Sequence, residues 1–262
     1  MIPPILLVGC GKMGSAMLSG WRERGLAPSY VVDPMLPPSP GPEITVVASA
    51  ADVPDDFIAS CVVFAVKPQS SAETLPLYRR HNSAVLLSIM AGRSIAWLCA
   101  VTESACVVRA MPNTPAAIRQ GITVACAGKG VSESQRALCD TLLRAVGEVA
   151  WTEDEALIDP VTAVSGGGPA YVFLLAELLE QAAIEQGIPA PLARLLARQT
   201  VAGSGALLAA STEDAAQLRR NVTSPAGTTE RALAVMMAKE AWPATISAAI
   251  DAATKRSREL AG

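Results

Sequence analysis

A short apolar run, Ile5-Leu6-Leu7-Val8, leads straight into Gly9-Cys10-Gly11-Lys12-Met13-Gly14. No other feature restricts the fold as strongly. The run has β-branched residues at both ends and the length of a buried strand. The G-x-G-x-x-G turn that follows opens a helix-compatible segment, Ser15 to Glu23. Each glycine has its own task in such a turn. Gly9 permits the tight exit from the strand, Gly11 leaves room for a pyrophosphate, and Gly14 lets helix and strand pack closely. The helix N-terminus offers free N–H groups and a partial positive charge to phosphate, and Lys12 and Met13 in the turn count among the expected cofactor-binding residues. A second strand, Tyr30-Val31-Val32, ends in Asp33, 24 positions after Gly9. Asp33 either meets an adenosine ribose or opens a turn with Pro34.

Composition narrows the classes. The chain has 262 residues, 51% hydrophobic and 17% charged, enough for a sizeable core in one large or two ordinary domains. A net charge of −3 without a basic block gives nucleic-acid binding no electrostatic support. The N-terminus carries no basic leader, so no signal peptide is expected. No apolar run reads as long enough to span a membrane, because Gly, Glu, Gln or Arg interrupts each. The six cysteines form no C-x-x-C pair; they read as buried free thiols in a reducing cytoplasm, with no metal site. The lone histidine, His81, lies in a polar stretch and reads as a solvated loop residue.

Further strands are expected at Ile44–Ala48, Cys61–Val66, Ala84–Ile89, Ala105–Arg109, Ile122–Ala127 and Val149–Trp151. Helices are expected at Ser71–Arg80, Ser94–Ala100 and Ser132–Ala145. This alternation argues for a parallel, doubly wound sheet. After residue 152 no strand is expected; helices read at 153–163, 169–185, 191–210, 215–220, 228–239 and 243–260. The boundary divides the chain into 1–151, a dinucleotide-binding domain, and 152–262, an all-helical domain. The 169–185 helix is apolar on nearly every face and needs cover all round. Either a partner subunit supplies it or the helix is central within one monomer.

Ligands of such sheets bind at the carboxyl ends of strands. Three clusters fall there: Val66-Lys67-Pro68-Gln69, Ala91-Gly92 and Met111-Pro112-Asn113-Thr114-Pro115. Lys67 either contacts the cofactor or caps a strand end, and Asn113 is a candidate for orienting the nicotinamide half. In the helical half, Val222-Thr223-Ser224-Pro225-Ala226-Gly227-Thr228-Thr229 ends at a helix start, where hydroxyls and free amides could hold a small carboxylate. The alternative is a plain N-cap whose Ser or Thr satisfies its own helix. No lysine occurs between Lys129 and Lys239, which disfavours alcohol-oxidising chemistry of the 3-hydroxyacid dehydrogenase kind. A protonated imine needs less acid catalysis, and alignment can supply most of its rate.

These blocks, with Ser165-Gly166-Gly167-Gly168-Pro169-Ala170-Tyr171 and the closing Lys255-Arg256-Ser257-Arg258-Glu259-Leu260, resemble the signature blocks of pyrroline-5-carboxylate reductases. The resemblance covers nearly the whole chain. It implies an N-terminal Rossmann-type sheet followed by an all-α dimerisation domain, forming a homodimer or a larger ring of dimers. It implies reduction of 1-pyrroline-5-carboxylate to L-proline by NADPH or NADH, the last step of proline synthesis. By motif position Thr229 would bond the ring nitrogen, Ser224, Gly227 and Thr228 would hold the carboxylate with Thr223 also among the substrate-binding residues, and Ala91 and Asn113 would lie along the cofactor. The chain departs from the family pattern at Gly167, where Ser is usual, and at Ala226, where Gly is usual. Asp33 would repel a 2′-phosphate, so NADH is expected to work at least as well as NADPH.

Overall fold

The computed structural model describes residues 1–261. The chain divides into two compact units: Met1–Gly166 with the chain from Ala253 on, and Gly167–Ala252. The last strand ends at Thr152, so packing changes partners later than strand content does.

The first unit is built on eight strands: β1 Ile5–Val8, β2 Ser29–Val32, β3 Ile44–Val47, β4 Cys61–Phe64, β5 Val85–Ser88, β6 Val107–Met111, β7 Gly121–Ala127 and β8 Gly147–Thr152. They form one sheet in the order β3-β2-β1-β4-β5-β6-β7-β8. All neighbours pair in parallel except β6 and β7. That pair departs from the expected all-parallel sheet. Only Pro112 to Gln120 joins the two, too short a link for a crossover, so the chain turns back on itself.

Helices α1 Lys12–Glu23, α2 Ser71–Thr74, α3 Ile95–Thr102, α4 Glu133–Leu143 and α5 Ile158–Val161 cover the sheet. Residues alternate between its faces as the pleat requires. Ile5 and Leu7 join one apolar layer with Met17, Trp21 and Leu142. Leu6 and Val8 join the other with Phe64, Leu75 and Leu98. Each such buried side chain contributes about 1.5–3 kcal/mol.

Four local expectations are corrected. The segment after α2 is a 3-10 helix, Leu75–His81, because Pro76 in its first turn has no N–H to donate. It carries His81 inward: the residue is 7% exposed, and its Nε2 accepts Arg80 Nε at 3.3 Å, so it is not a solvated loop side chain. The expected 153–163 helix is a 3-10 turn at Glu155–Leu157, then α5, then a π turn at Thr162–Gly166. Thr162 and Ser165 donate their hydroxyls to carbonyls four residues back, a pattern that bends helices. Only three of the six cysteines, Cys61, Cys126 and Cys139, are buried; the others are half-buried, and all are free.

The second unit holds α6 Gly168–Glu185, α7 Ala190–Ala210, α8 Ala215–Asn221, α9 Thr228–Met236 and the first part of α10, Trp242–Ala261. Gly187, at φ 85°, turns the chain between α6 and α7. Only Ala193 and Ala197 are buried apolar residues here, while Phe173 is 67% and Leu195 62% exposed. A further correction concerns membranes. The helical stretch Glu155–Glu185 contains an 18-residue window of mean hydropathy 1.3, enough by length and composition alone to cross one.

Candidate active site

The first turn has the geometry its glycines foretell. Gly9 sits at φ 92°, and a Cβ there would stand 2.8 Å from the Ala65 carbonyl oxygen. A Cβ on Gly14 would press into the carbonyl of Gly9. Both glycines are demanded by the protein's own packing. Gly11 is different, because among the described residues no atom beyond its chain neighbours lies within 4 Å of the position its Cβ would take. Its openness serves nothing inside the protein and suits a pyrophosphate. Ser15 N–H makes the first bond of α1, to Gly11 O at 2.9 Å. No side chain caps the helix, so the amides of Lys12, Met13 and Gly14 face outward with their partial charge uncompensated.

Asp33 opens the turn, one of its two sequence readings, and it also reaches the glycine loop. One carboxylate oxygen accepts Met35 N–H at 2.9 Å and starts the turn. The other accepts Cys10 N–H at 2.7 Å and faces the glycine loop. Burial, then the charge of Asp33, push the Cys10 thiol above its ordinary pKa, keeping it protonated. The loop from Pro34 to Pro42 carries no lysine or arginine. Arg22, whose guanidinium lies against Gly41, is paired with Glu43.

At the next strand ends, half-buried Val66 packs beside Gly9, and exposed Lys67 caps nothing with its side chain. Pro68 opens a 3-10 turn, and Ala91 and Gly92 follow β5 with Gly92 at φ 65°. Asn113 is buried, its Oδ1 accepts Ile122 N–H at 2.9 Å, and its Nδ2 meets no acceptor among the described residues. Sequence reasoning overlooked Arg93, which bonds Ser71 and Pro68, and the partners of Arg109. Arg109 is 3% exposed, with Nη1 2.9 Å from Glu155 and Nη2 3.7 Å from Asp159. Asp159 also accepts the Ser257 hydroxyl at 2.7 Å. A charged residue inside an apolar strand was the available signal for Arg109.

In the second unit, Ser224 to Gly227 form a tight turn closed by Gly227 N–H to Ser224 O at 3.0 Å. Pro225 and Ala226 occupy its centre, with Ala226 at φ 57°, the left-handed position that glycine prefers. Gly227 is the N-cap of α9 and offers no side chain. Ser224, Thr228 and Thr229 do not cap the helix, so the plain N-cap reading does not account for them. The Thr223 hydroxyl is occupied, donating to Arg219 O at 2.7 Å. Glu230 reaches back to Ala226 N–H at 2.8 Å. The arrangement presents helix amides with two hydroxyls in sequence, Thr228 exposed and Thr229 half-buried.

A doubly wound sheet with an open glycine cradle and a carboxylate at the second strand defines the dinucleotide-binding oxidoreductases. A family model described as "Pyrroline-5-carboxylate reductase dimerisation" matches residues 155–260. The chain is 38% identical to the pyrroline-5-carboxylate reductase of Pseudomonas aeruginosa, covering 99% of this chain and 97% of that one. The structure of the reductase from Coxiella burnetii aligns with a TM-score of 0.87 at 30% identity, over 98% of both chains. That of Plasmodium falciparum, solved with NADP bound, aligns with a TM-score of 0.83 at 27% identity, over 99% of this chain and 98% of that one. The chain belongs to the pyrroline-5-carboxylate reductase family.

Proposed function

We propose that this chain reduces the C=N bond of 1-pyrroline-5-carboxylate to give L-proline, the closing step of proline synthesis, with NADH or NADPH as reductant. The observation that carries the reading is the uncapped start of α9, with free amides and the unengaged hydroxyls of Thr228 and Thr229. Those amides and the Ser224 hydroxyl bind the substrate carboxylate, using the helix charge at its positive end. Gly227 lets the backbone approach the carboxylate. Thr223, whose proton is committed to Arg219 O, can only accept, so it would face the protonated ring nitrogen and not the carboxylate. Thr229 steadies the ring nitrogen. Gly9, Gly11, Lys12, Met13 and Gly14 hold the pyrophosphate, Asp33 the adenosine ribose, and Val66, Lys67, Pro68, Ala91 and Asn113 the nicotinamide half. When bound, the cofactor supplies a hydride to the imine carbon, and the protonated C=N becomes a secondary amine. The chain's residues add alignment rather than proton transfer, because the substrate arrives protonated. His81 supports this: it precedes β5, at the amino end of the sheet.

The proposal includes the strand-bearing chain 1–151 as the cofactor domain and 152–262 as the substrate and dimer-forming domain. It includes a homodimer, open to assembly as a ring of dimers. The support is the apolar face of α6 and α7, too bare for a unit standing alone. Dimerisation also accounts for the apolar stretch 155–185 without a membrane. A cytoplasmic setting is supported by the free cysteines. The test of the site is Thr229→Ala. Turnover should fall by about a hundredfold, the usual effect of removing one transition-state hydrogen bond, with NADH binding unchanged. Equal turnover in variant and parent removes Thr229 from the mechanism.

A further inference from the structure

The two loops assigned to the nicotinamide half are joined by a residue outside them. Arg93 follows Ala91-Gly92 at the end of β5. Its Nη2 donates to Pro68 O at 2.9 Å, and its Nε donates to Ser71 Oγ at 3.0 Å. Ser71, fully buried, donates its own hydroxyl to Pro68 O at 2.6 Å, closing a three-membered polar ring. The Ser71 N–H also points at Pro68 O, so one carbonyl gathers three donors. The guanidinium stacks 4.4 Å over the Trp97 ring on α3, which fixes its plane. Gly92, at φ 65° with Leu260 O 2.9 Å from the position of its missing Cβ, sets the direction in which the chain enters Arg93.

We propose that Arg93 is a positioning residue. It clamps the Lys67-Pro68 loop after β4 to the Ala91-Gly92 loop after β5, and so pre-forms the nicotinamide side of the cofactor cleft. The proposal rests on the reading that these loops line that cleft. Without the clamp, cofactor binding must order both loops, and affinity falls by that amount. A planar fork on two acceptors is what arginine offers and lysine cannot reproduce.

The test is full-length enzyme carrying Arg93→Ala, Arg93→Lys or Ser71→Ala, compared by NADH fluorescence titration, steady-state kinetics and thermal unfolding. Loss of the clamp should raise the KM and Kd for NADH by about tenfold, the worth of one charge-assisted hydrogen bond. Turnover at saturating NADH, the KM for the imine and the unfolding midpoint should stay near parent values. Lysine should recover part of the affinity. A merely structural role would lower the unfolding midpoint and turnover and leave the KM for NADH in place; that pattern overturns the proposal. Parent enzyme that binds NADH while Arg93→Ala binds it equally well overturns the proposal alone. Parent enzyme that binds neither dinucleotide overturns the cleft reading and the clamp together.

Discussion

The carboxylate of Asp33 accepts the N–H of Cys10 at 2.7 Å, tying the end of β2 to the glycine turn that precedes α1. A carboxylate is thereby held beside the glycine turn, followed by a proline-rich loop without a cation. A ribose 2′-hydroxyl can donate to this carboxylate, whereas a 2′-phosphate is repelled. The parent should have a kcat/KM for NADH at least equal to that for NADPH. Asp33→Ser should move the ratio toward NADPH by about tenfold or more, a shift of about 1.4 kcal/mol. Steady-state kinetics with both reductants checks this, and a strong NADPH preference in the parent removes the selecting role of Asp33.

Ala226 holds φ 57° in the turn before α9. A left-handed conformation strains any residue with a Cβ by about 1–2 kcal/mol, partly offset because glycine loses more freedom on folding. Ala226→Gly should stabilise the protein by about 0.5–1 kcal/mol. Urea unfolding reads this as a higher midpoint at unchanged slope. A lower midpoint would show that the turn has relaxed around alanine.

Arg109 lies buried between Glu155 and Asp159, with Nε and Nη2 lacking hydrogen-bond partners. Removing its charge leaves two carboxylates facing each other in a partly dry site. Arg109→Met should destabilise the protein by about 3 kcal/mol. Denaturant unfolding measures it, and a neutral or stabilising effect would show that the ion pairs do not outweigh their desolvation.

The chain has one histidine, which isolates its pH signature. Burial, then the charge of Arg80, hold the His81 pKa below its ordinary 6.5. The unfolded chain therefore takes up this proton more readily than the folded one. The contribution to stability is fully present above about pH 6.5 and is lost as pH falls through the lower folded pKa. Among carboxylates, Glu23, Glu43 and Asp140 are shifted down and act at more acid pH. Unfolding of His81→Gln should be flatter than parent between pH 6.5 and 5. Parallel curves would contradict the assignment.

Leu178 on α6 is 51% exposed and lines an apolar groove of about 370 Å³ with Trp242 and Ile246. Leu178→Glu should convert the assembly to monomers, read by light scattering on a sizing column. An unchanged mass would place the dimer contact elsewhere.

Most of the sheet was legible in the sequence because its inner strands are short apolar runs bounded by turn residues, as in Cys61-Val62-Val63-Phe64. The glycine turn was legible because steric demand at Gly9 and Gly14 is local. What escaped was long-range. The antiparallel β6–β7 pair depends on a link length that a motif does not reveal, and the burial of His81 on a 3-10 turn set by Pro76. Arg93 reaches Pro68 across 25 positions and Arg109 reaches Glu155 across 46, contacts without periodicity. At the α9 start the residue types were visible, but their free hydroxyls were not. Only coordinates distinguish a hydroxyl that caps its own helix from one left for a ligand.

The most direct measurement counts product against reductant. Purified enzyme is given 1-pyrroline-5-carboxylate with NADH, and L-proline formed is compared with NADH consumed. One proline per NADH, with no consumption when the imine is omitted, is the predicted result. NADH consumption without proline, or binding of NADH with no turnover of the imine, would contradict the account.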